Sequence, residues 1–258
     1  MKGSSVSQNR NAQRRLVEKA PYRRLVPRLQ NVIRLCALFV LMSLLTACDS
    51  TTVLLANFTS DTVGSPPGAT QATGTVALDS GAGTITVVDA PAASLPANKW
   101  VQISHPTAPS PQTGMRGIFS RVGGVGDYGF LAALLIPQDT GVVTVQFEPI
   151  PEPNEYFGFL HLDCMPEGDV RIDDGPVRFG QFPRDQAFVL SVHLVITETT
   201  ATAEISLLGR GASGSTTVNV NPSLLRAARQ FGAVRFWMGF QHQGSFFVDE
   251  IIVTRRNQ

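Results

Sequence analysis

Cysteine is scarce in this sequence. Three occur in 258 residues, at positions 36, 48 and 164, so a disulfide framework cannot hold the chain together. Charge is sparse as well: Asp, Glu, Lys and Arg make up 16% of the residues, and the mean hydropathy is +0.07. The apolar run Leu35–Leu45 is eleven residues long, too short for a bilayer span of ~20 residues. Strand-like and helix-like segments do not alternate, and no long internal repeat is present, which excludes α/β folds and solenoids. The four histidines (105, 161, 193 and 242) show no close metal-ligand spacing. "GGVG" and "GASGS" lack the strand-to-helix setting of a phosphate loop or nucleophile elbow and read as turns. Nothing in these patterns calls for a metal or a cofactor.

Cations, by contrast, crowd the beginning of the chain. The first 34 residues carry nine (Lys2, Arg10, Arg14, Arg15, Lys19, Arg23, Arg24, Arg28 and Arg34) against one acid, Glu18. A basic stretch followed by a short apolar run has the form of a secretory leader. The run ends in Leu45-Thr46-Ala47-Cys48, which resembles the lipobox of bacterial lipoproteins at all four positions. That resemblance implies cleavage before Cys48 and acylation of its thiol and new amine with palmitate-type chains. It also implies a protein held at a membrane on its periplasmic or cell-surface side. Each buried methylene contributes ~0.8 kcal/mol, so several acyl chains hold firmly where one would not. The alternative, an uncleaved anchor with a chance cysteine, fits less well because small residues sit where a peptidase needs them. "RRLV" at 14–17 and 23–26 raises twin-arginine export, but both copies lie far from the apolar run. Asp49 resembles an inner-membrane retention residue, a rule that differs between bacteria, so the membrane stays open. Residues 1–47 are read as leader, 48–52 as a lipidated tether and 53–258 as the folded domain.

Removing the leader takes Lys+Arg from 21 to 12 and Asp+Glu from 20 to 19, so the remainder is net −7. A basic nucleic-acid footprint is therefore absent. Only Cys164 is left to the domain, in the apolar run "YFGFLHLDC", where a packed thiol is expected. Short alternating segments recur between Gly/Pro/Asp/Asn clusters, which predicts strands. They fall near Val53–Phe58, Gly74–Leu78, Thr84–Val88, Lys99–Ser104, Met115–Arg121, Tyr128–Ile136, Val142–Glu148, Tyr156–Asp163, Val170–Ile172, Pro176–Phe179, Phe188–Thr197, Thr202–Leu207, Thr216–Val220, Ala233–Gln241 and Phe246–Thr254. One short helix is predicted, capped by Asn221, opened by Pro222, running through Phe231 and closed by Gly232. The fold class is all-β: a two-sheet antiparallel sandwich with one short helix.

Two segments narrow that class. "NFTSDTVGSPPG" (57–68) resembles the opening of concanavalin A-like jelly-roll domains, and "GSFFVDEIIVTR" (244–255) resembles their closing strand, with an acidic pair inside an apolar run. The resemblance, compatible in strand order with the laminin-G-like branch, implies a jelly roll whose first and last strands are neighbours. The family uses this fold for lectins, glycan-binding modules, polysaccharide hydrolases and adhesion modules, so fold alone selects no function. The paired-carboxylate strand of its glucanases, Glu-x-Asp-x-(x)-Glu, has no match. Glu148, Glu152 and Glu155 are interrupted by Pro149, Pro151 and Pro153. Asp169, Asp173 and Asp174 are read as a turn rather than a calcium site, which wants six or more oxygens.

Alternation also assigns faces. Phe188, Leu190, Val192, Leu194 and Ile196 share one face, opposite Ser191 and His193. Val234, Phe236, Met238 and Phe240 share another, opposite Arg235, Trp237 and Gln241. Tyr156, Leu160 and Leu162 oppose Phe159, His161 and Asp163. If the three strands belong to one sheet, Trp237, Arg235, Gln241, His193, His161 and Asp163 form a platform suited to a sugar: a ring to stack on, with hydrogen-bonding neighbours. The alternative is that these residues pack beneath loops. The expected function is a non-catalytic envelope module that binds a glycan or another envelope component and is held to the membrane through the Cys48 lipid. A divergent hydrolase or lyase and a structural or protein-adhesion module are the alternatives.

Overall fold

A computed structural model describes residues 50–256, apart from 93–94, 96–97, 107–108, 122, 151–157, 174 and 176. Tyr156, Glu152, Glu155, Asp174, Cys48 and the leader thus lie outside the described residues. Fifteen strands occur among those described: β1 (Ser50–Ala56), β2 (Thr75–Asp79), β3 (Thr84–Asp89), β4 (Lys99–His105), β5 (Thr113–Ile118), β6 (Gly126–Leu135), β7 (Val143–Pro149), β8 (Leu160–Cys164), β9 (Val170–Ile172), β10 (Arg178–Phe179), β11 (Ala187–Ile196), β12 (Ala201–Leu208), β13 (Ser215–Asn219), β14 (Phe231–Met238) and β15 (Gly244–Arg256). They form two antiparallel sheets. One has eight strands in the order β13-β12-β11-β6-β15-β4-β3, with β1 also beside β15; the other has seven, β10-β9-β8-β7-β14-β5-β2. The chain folds as a jelly-roll β-sandwich.

Period-two burial drives this arrangement. In β6 and β11 buried and less-buried residues alternate along most of the strand, so each strand gives one face to the core. The expected face of β11 holds: Phe188, Leu190, Val192, Leu194 and Ile196 are all buried. Between the sheets, Phe231 is fully buried. Its ring meets Phe119, Tyr128, Phe147 and Phe159, with centroids 4.7, 5.3, 5.6 and 5.3 Å away, three of them edge-on as ring quadrupoles favour. Cys164 joins the core as a buried thiol, pushed up to about 12 by burial.

The thirteen-residue β15 closes the domain. Along one edge it pairs with β6. Along the other, Gly244–Val248 pairs with β4 and Ile251–Arg256 pairs with β1. The expected adjacency of the first and last strands is therefore observed. A bulge between Asp249 and Ile252 marks the change of partner, and Glu250 takes a φ of 50° there, left-handed backbone that non-glycine residues rarely adopt. Because β1 begins at Ser50, three residues of the expected tether (50–52) already pair with 254–256.

The helix is shorter than the sequence predicts. Asn221 Oδ1 accepts hydrogen bonds from the Ser223 N–H (3.0 Å) and Oγ (2.9 Å), starting a 3-10 turn at Pro222–Leu224 that continues as α1 (Leu225–Ala228). Phe231 and Gly232 belong to β14 instead. The aromatic pocket claims Phe231, and a Cβ at Gly232 would meet the Ile150 side chain at 2.9 Å.

Candidate functional site

The outward face of the seven-stranded sheet gathers most of the polar side chains picked out above. Strand register aligns them in rows across the strands. Asp163, Thr144, Trp237 and Gly114 face one another across β8, β7, β14 and β5, and beyond them lie Arg171 on β9 and Asp79 on β2. The next row along the strands is His161, Gln146, Arg235 and Arg116. Side-chain contacts confirm the shared face. Trp237 Nε1 donates to Gln146 Oε1 at 3.0 Å, and the Arg235 guanidinium lies 5.5 Å from the indole centroid, a cation–π distance. Thr144 Oγ1 donates to Asp163 Oδ1 at 2.6 Å.

Trp237 is half-buried, whereas Arg235 and Asp163 are only 5% and 6% exposed. Both β7 and β14 are buried at nearly every position, so this face is partly sheltered. Each guanidinium in it meets a carboxylate: Arg116 with Glu148 (2.5 Å), Arg235 with Asp79 (2.6 Å), Arg171 with Asp163 (3.8 Å), and Arg178 with Asp169 (3.3 Å). The charges cancel locally and hold the side chains in place. His161 keeps a different resource. Its backbone exchanges hydrogen bonds with Asp173, while its buried Nε2 has no partner among the described residues, although buried polar atoms are ordinarily satisfied.

At the β14 end of the face the strand stops at Met238 and a turn follows. Glycine positions there fit the indole closely. A Cβ on Gly114 would come within 2.5 Å of Trp237 Cβ, and one on Gly239 within 3.1 Å of the ring edge and 3.9 Å of His242 Cδ2. Phe240 is 56% exposed in this turn. It was expected to face the core with Met238, but alternation ends where the strand does. Gln241 is exposed in the same turn rather than on the strand. Burial pushes the His242 imidazole below its ordinary value, partly offset by the charge of Asp163. Burial likewise lowers His105, whose Nδ1 bonds Thr113 Oγ1 at 2.9 Å.

Two further expectations are corrected. His193 lies on β11 of the eight-stranded sheet, on the other side of the sandwich, 2.7 Å from Asp127. The condition that all three strands share one sheet therefore fails, and His193 leaves the candidate set. Phe159 is fully buried, packed against Phe147 and Phe231, and is not on the outward face. Asp169 and Asp173 are engaged by Arg178 and the His161 N–H. Gln146, Arg116, Glu148, Thr144, Phe240 and His242 were not chosen as site residues from sequence, although Glu148, Phe240 and His242 were weighed there in other roles. The first four carried a signal: "VTVQFEP" sets Thr144, Gln146 and Glu148 at alternate positions inside an apolar strand, and "TGMRGI" sets the lone charge of Arg116 inside another.

No protein-family model matches the chain, and no curated protein sequence matches it. Solved structures similar in outline include lectin I of Ulex europaeus, in complex with the methyl glycoside of α-L-fucose. It is 11% identical, with a TM-score of 0.49, covering 81% of this chain and 98% of that one. The lectin UEA-II, complexed with galactose, gives 10%, 0.49, 82% and 100%. The CBM2 module of the evolved Dit protein of Lactobacillus casei BL23 phage J-1 gives 14%, 0.48, 81% and 97%. At these identities and scores the likeness carries no weight for function.

Proposed function

We propose that this chain is a lipid-anchored envelope protein whose seven-stranded sheet binds a neutral glycan on its outward face without cleaving it. The observation that carries this reading is the setting of Trp237. A half-buried indole, edged by glycines and braced by Gln146 and Arg235, stands in a row of fixed polar groups. A pyranose C–H face stacks on such a ring while hydroxyls bond neighbouring donors and acceptors. The carboxylate pairing of every guanidinium described above favours an uncharged ligand over a polyanion, because an anion would have to displace a carboxylate already in place.

Geometry favours binding over hydrolysis. Asp163 stands opposite Thr144, four residues along β7 from Glu148. At ~3.4 Å per residue their backbones are roughly 14 Å apart along the strand direction, and no paired-carboxylate strand of the Glu-x-Asp-x-(x)-Glu kind brings two carboxyls together. Each also meets a guanidinium. The membrane attachment rests on the Leu45-Thr46-Ala47-Cys48 box. A glycan array probed with the full-length protein, followed by product analysis on any sugar bound, tests the reading. Retention of a neutral oligosaccharide without release of shorter products is the expected result. Released products would move the chain to the hydrolases or lyases, and an array without binding would favour a structural or adhesion role.

A further inference from the structure

One end of the sandwich carries the start of β1. Only Asp49 separates Cys48 from the first strand residue, Ser50. Two residue steps reach at most ~7 Å, so a lipid on Cys48 leaves almost no tether and brings this end of the domain to the bilayer surface. Strand register defines the rest of the end. Ser50 pairs with Arg256, Arg256 with Asp127, Gly126 with Ile196, Ile196 with Ala201, and Thr202 with Asn219. Residues 119–121 and 123–125, the 197–200 turn and the Pro222–Ala228 segment complete it.

This end is rich in arginine. Arg121 and Arg226 are exposed, and Arg229, Arg255 and Arg256 are less so. The carboxylates described here are engaged: Asp127 by His193 (2.7 Å) and Arg256 (3.8 Å), and Glu198 by Arg229 (2.7 Å). Glu152 and Glu155 lie outside the described residues. The candidate site has the opposite polarity. Trp237 lies at the far end of β14, with Phe240, Gln241 and His242 beyond it. Eight strand residues span roughly 25 Å.

We propose that the Ser50–Arg256 end rests against a phospholipid bilayer, with Arg121 and Arg226 at the phosphate layer and the Trp237–Phe240 end pointing away. Guanidinium forks match phosphate geometry, and basic residues are drawn to anionic leaflets. This orientation rests on the lipid reading of Cys48, and it would present the glycan face to the space beyond the membrane rather than to the lipid.

The test uses the full-length chain, expressed in a bacterium that acylates lipoproteins, purified and reconstituted in phosphatidylethanolamine–phosphatidylglycerol vesicles with nitroxide-labelled headgroups. Arg121→Cys, Arg226→Cys and, at the far end, the exposed Arg210→Cys each carry a thiol-reactive fluorophore. Cys164 is buried, with its thiol pushed up to about 12, and does not compete for label. Fluorophores at 121 and 226 should be quenched at least threefold more than the one at 210. Equal quenching, or stronger quenching at 210, with Cys48 acylated by mass spectrometry, would overturn the orientation alone. An unacylated Cys48 would overturn both the lipid reading and the orientation.

Discussion

Replacing Asp249 with Asn should stabilise the protein at alkaline pH and do almost nothing in acid. Asp249 sits at the β15 bulge and is 1% exposed. One carboxylate oxygen accepts from Asn98 Nδ2, and the Glu250 backbone N–H also lies against the carboxyl. Asn98 is itself fixed, because its Oδ1 accepts from Trp100 Nε1 at 3.1 Å. Burial raises the carboxyl from 3.8 to about 7; the Glu250 charge adds to this, and the hydrogen bonds from the Glu250 backbone and Asn98 oppose it. The folded state therefore binds a proton that the unfolded state releases between about pH 4 and pH 7. Stability contributed by the neutral acid is present below pH 4, falls as pH rises through that window, and is flat above it. Roughly three units at ~1.4 kcal/mol each gives a penalty on the order of 4 kcal/mol at pH 8. An amide has Asp249's shape without its charge. Urea unfolding of both proteins from pH 4 to pH 8.5, followed by the emission of buried Trp100, should give midpoints that coincide in acid and diverge as pH rises. A pH-independent offset, or a variant weaker throughout, would refute this account of the bulge.

Phe231→Ala empties the meeting point of four rings and should cost ~3–5 kcal/mol in urea unfolding; a loss below ~1 kcal/mol would contradict its place in the core. Gly114→Ala puts a Cβ within 2.5 Å of Trp237 Cβ and 2.7 Å of the Phe236 carbonyl, so it should cost ~1–3 kcal/mol and shift Trp237 emission. His193→Ala should change stability by less than ~1 kcal/mol, as exposed ion pairs do, and leave glycan affinity unchanged. A tenfold affinity loss would place the site on the eight-stranded sheet instead.

The strands were legible because a half-covered strand must alternate. The β1–β15 neighbourhood was legible from two apolar, motif-bearing chain segments. Alternation stays silent on which strands share a sheet, since that depends on contacts far apart in sequence. His193 shows the consequence: it points outward as expected, but from the wrong sheet. Phe240 shows a second limit, because a period-two rule extended past Met238 assigns a turn residue to the core. Phe231 shows a third: it fits helical spacing, but four surrounding rings draw it into β14. The face itself was half legible. Trp237, Arg235, His161 and Asp163 were picked out, whereas Gln146 and Arg116 were missed because single polar residues within apolar strands pass for ordinary alternation.

Calorimetric titration of the wild-type protein and Trp237→Ala with the neutral oligosaccharide best retained on the array tests the glycan-binding claim most directly. The account predicts saturable binding by the wild type. It predicts an at least tenfold weaker affinity for the variant, about 1.4 kcal/mol, as loss of an aromatic anchor brings, with the fold retained and cooperative unfolding preserved. Equal affinity of the two proteins, or a wild type that binds no neutral sugar, would contradict it.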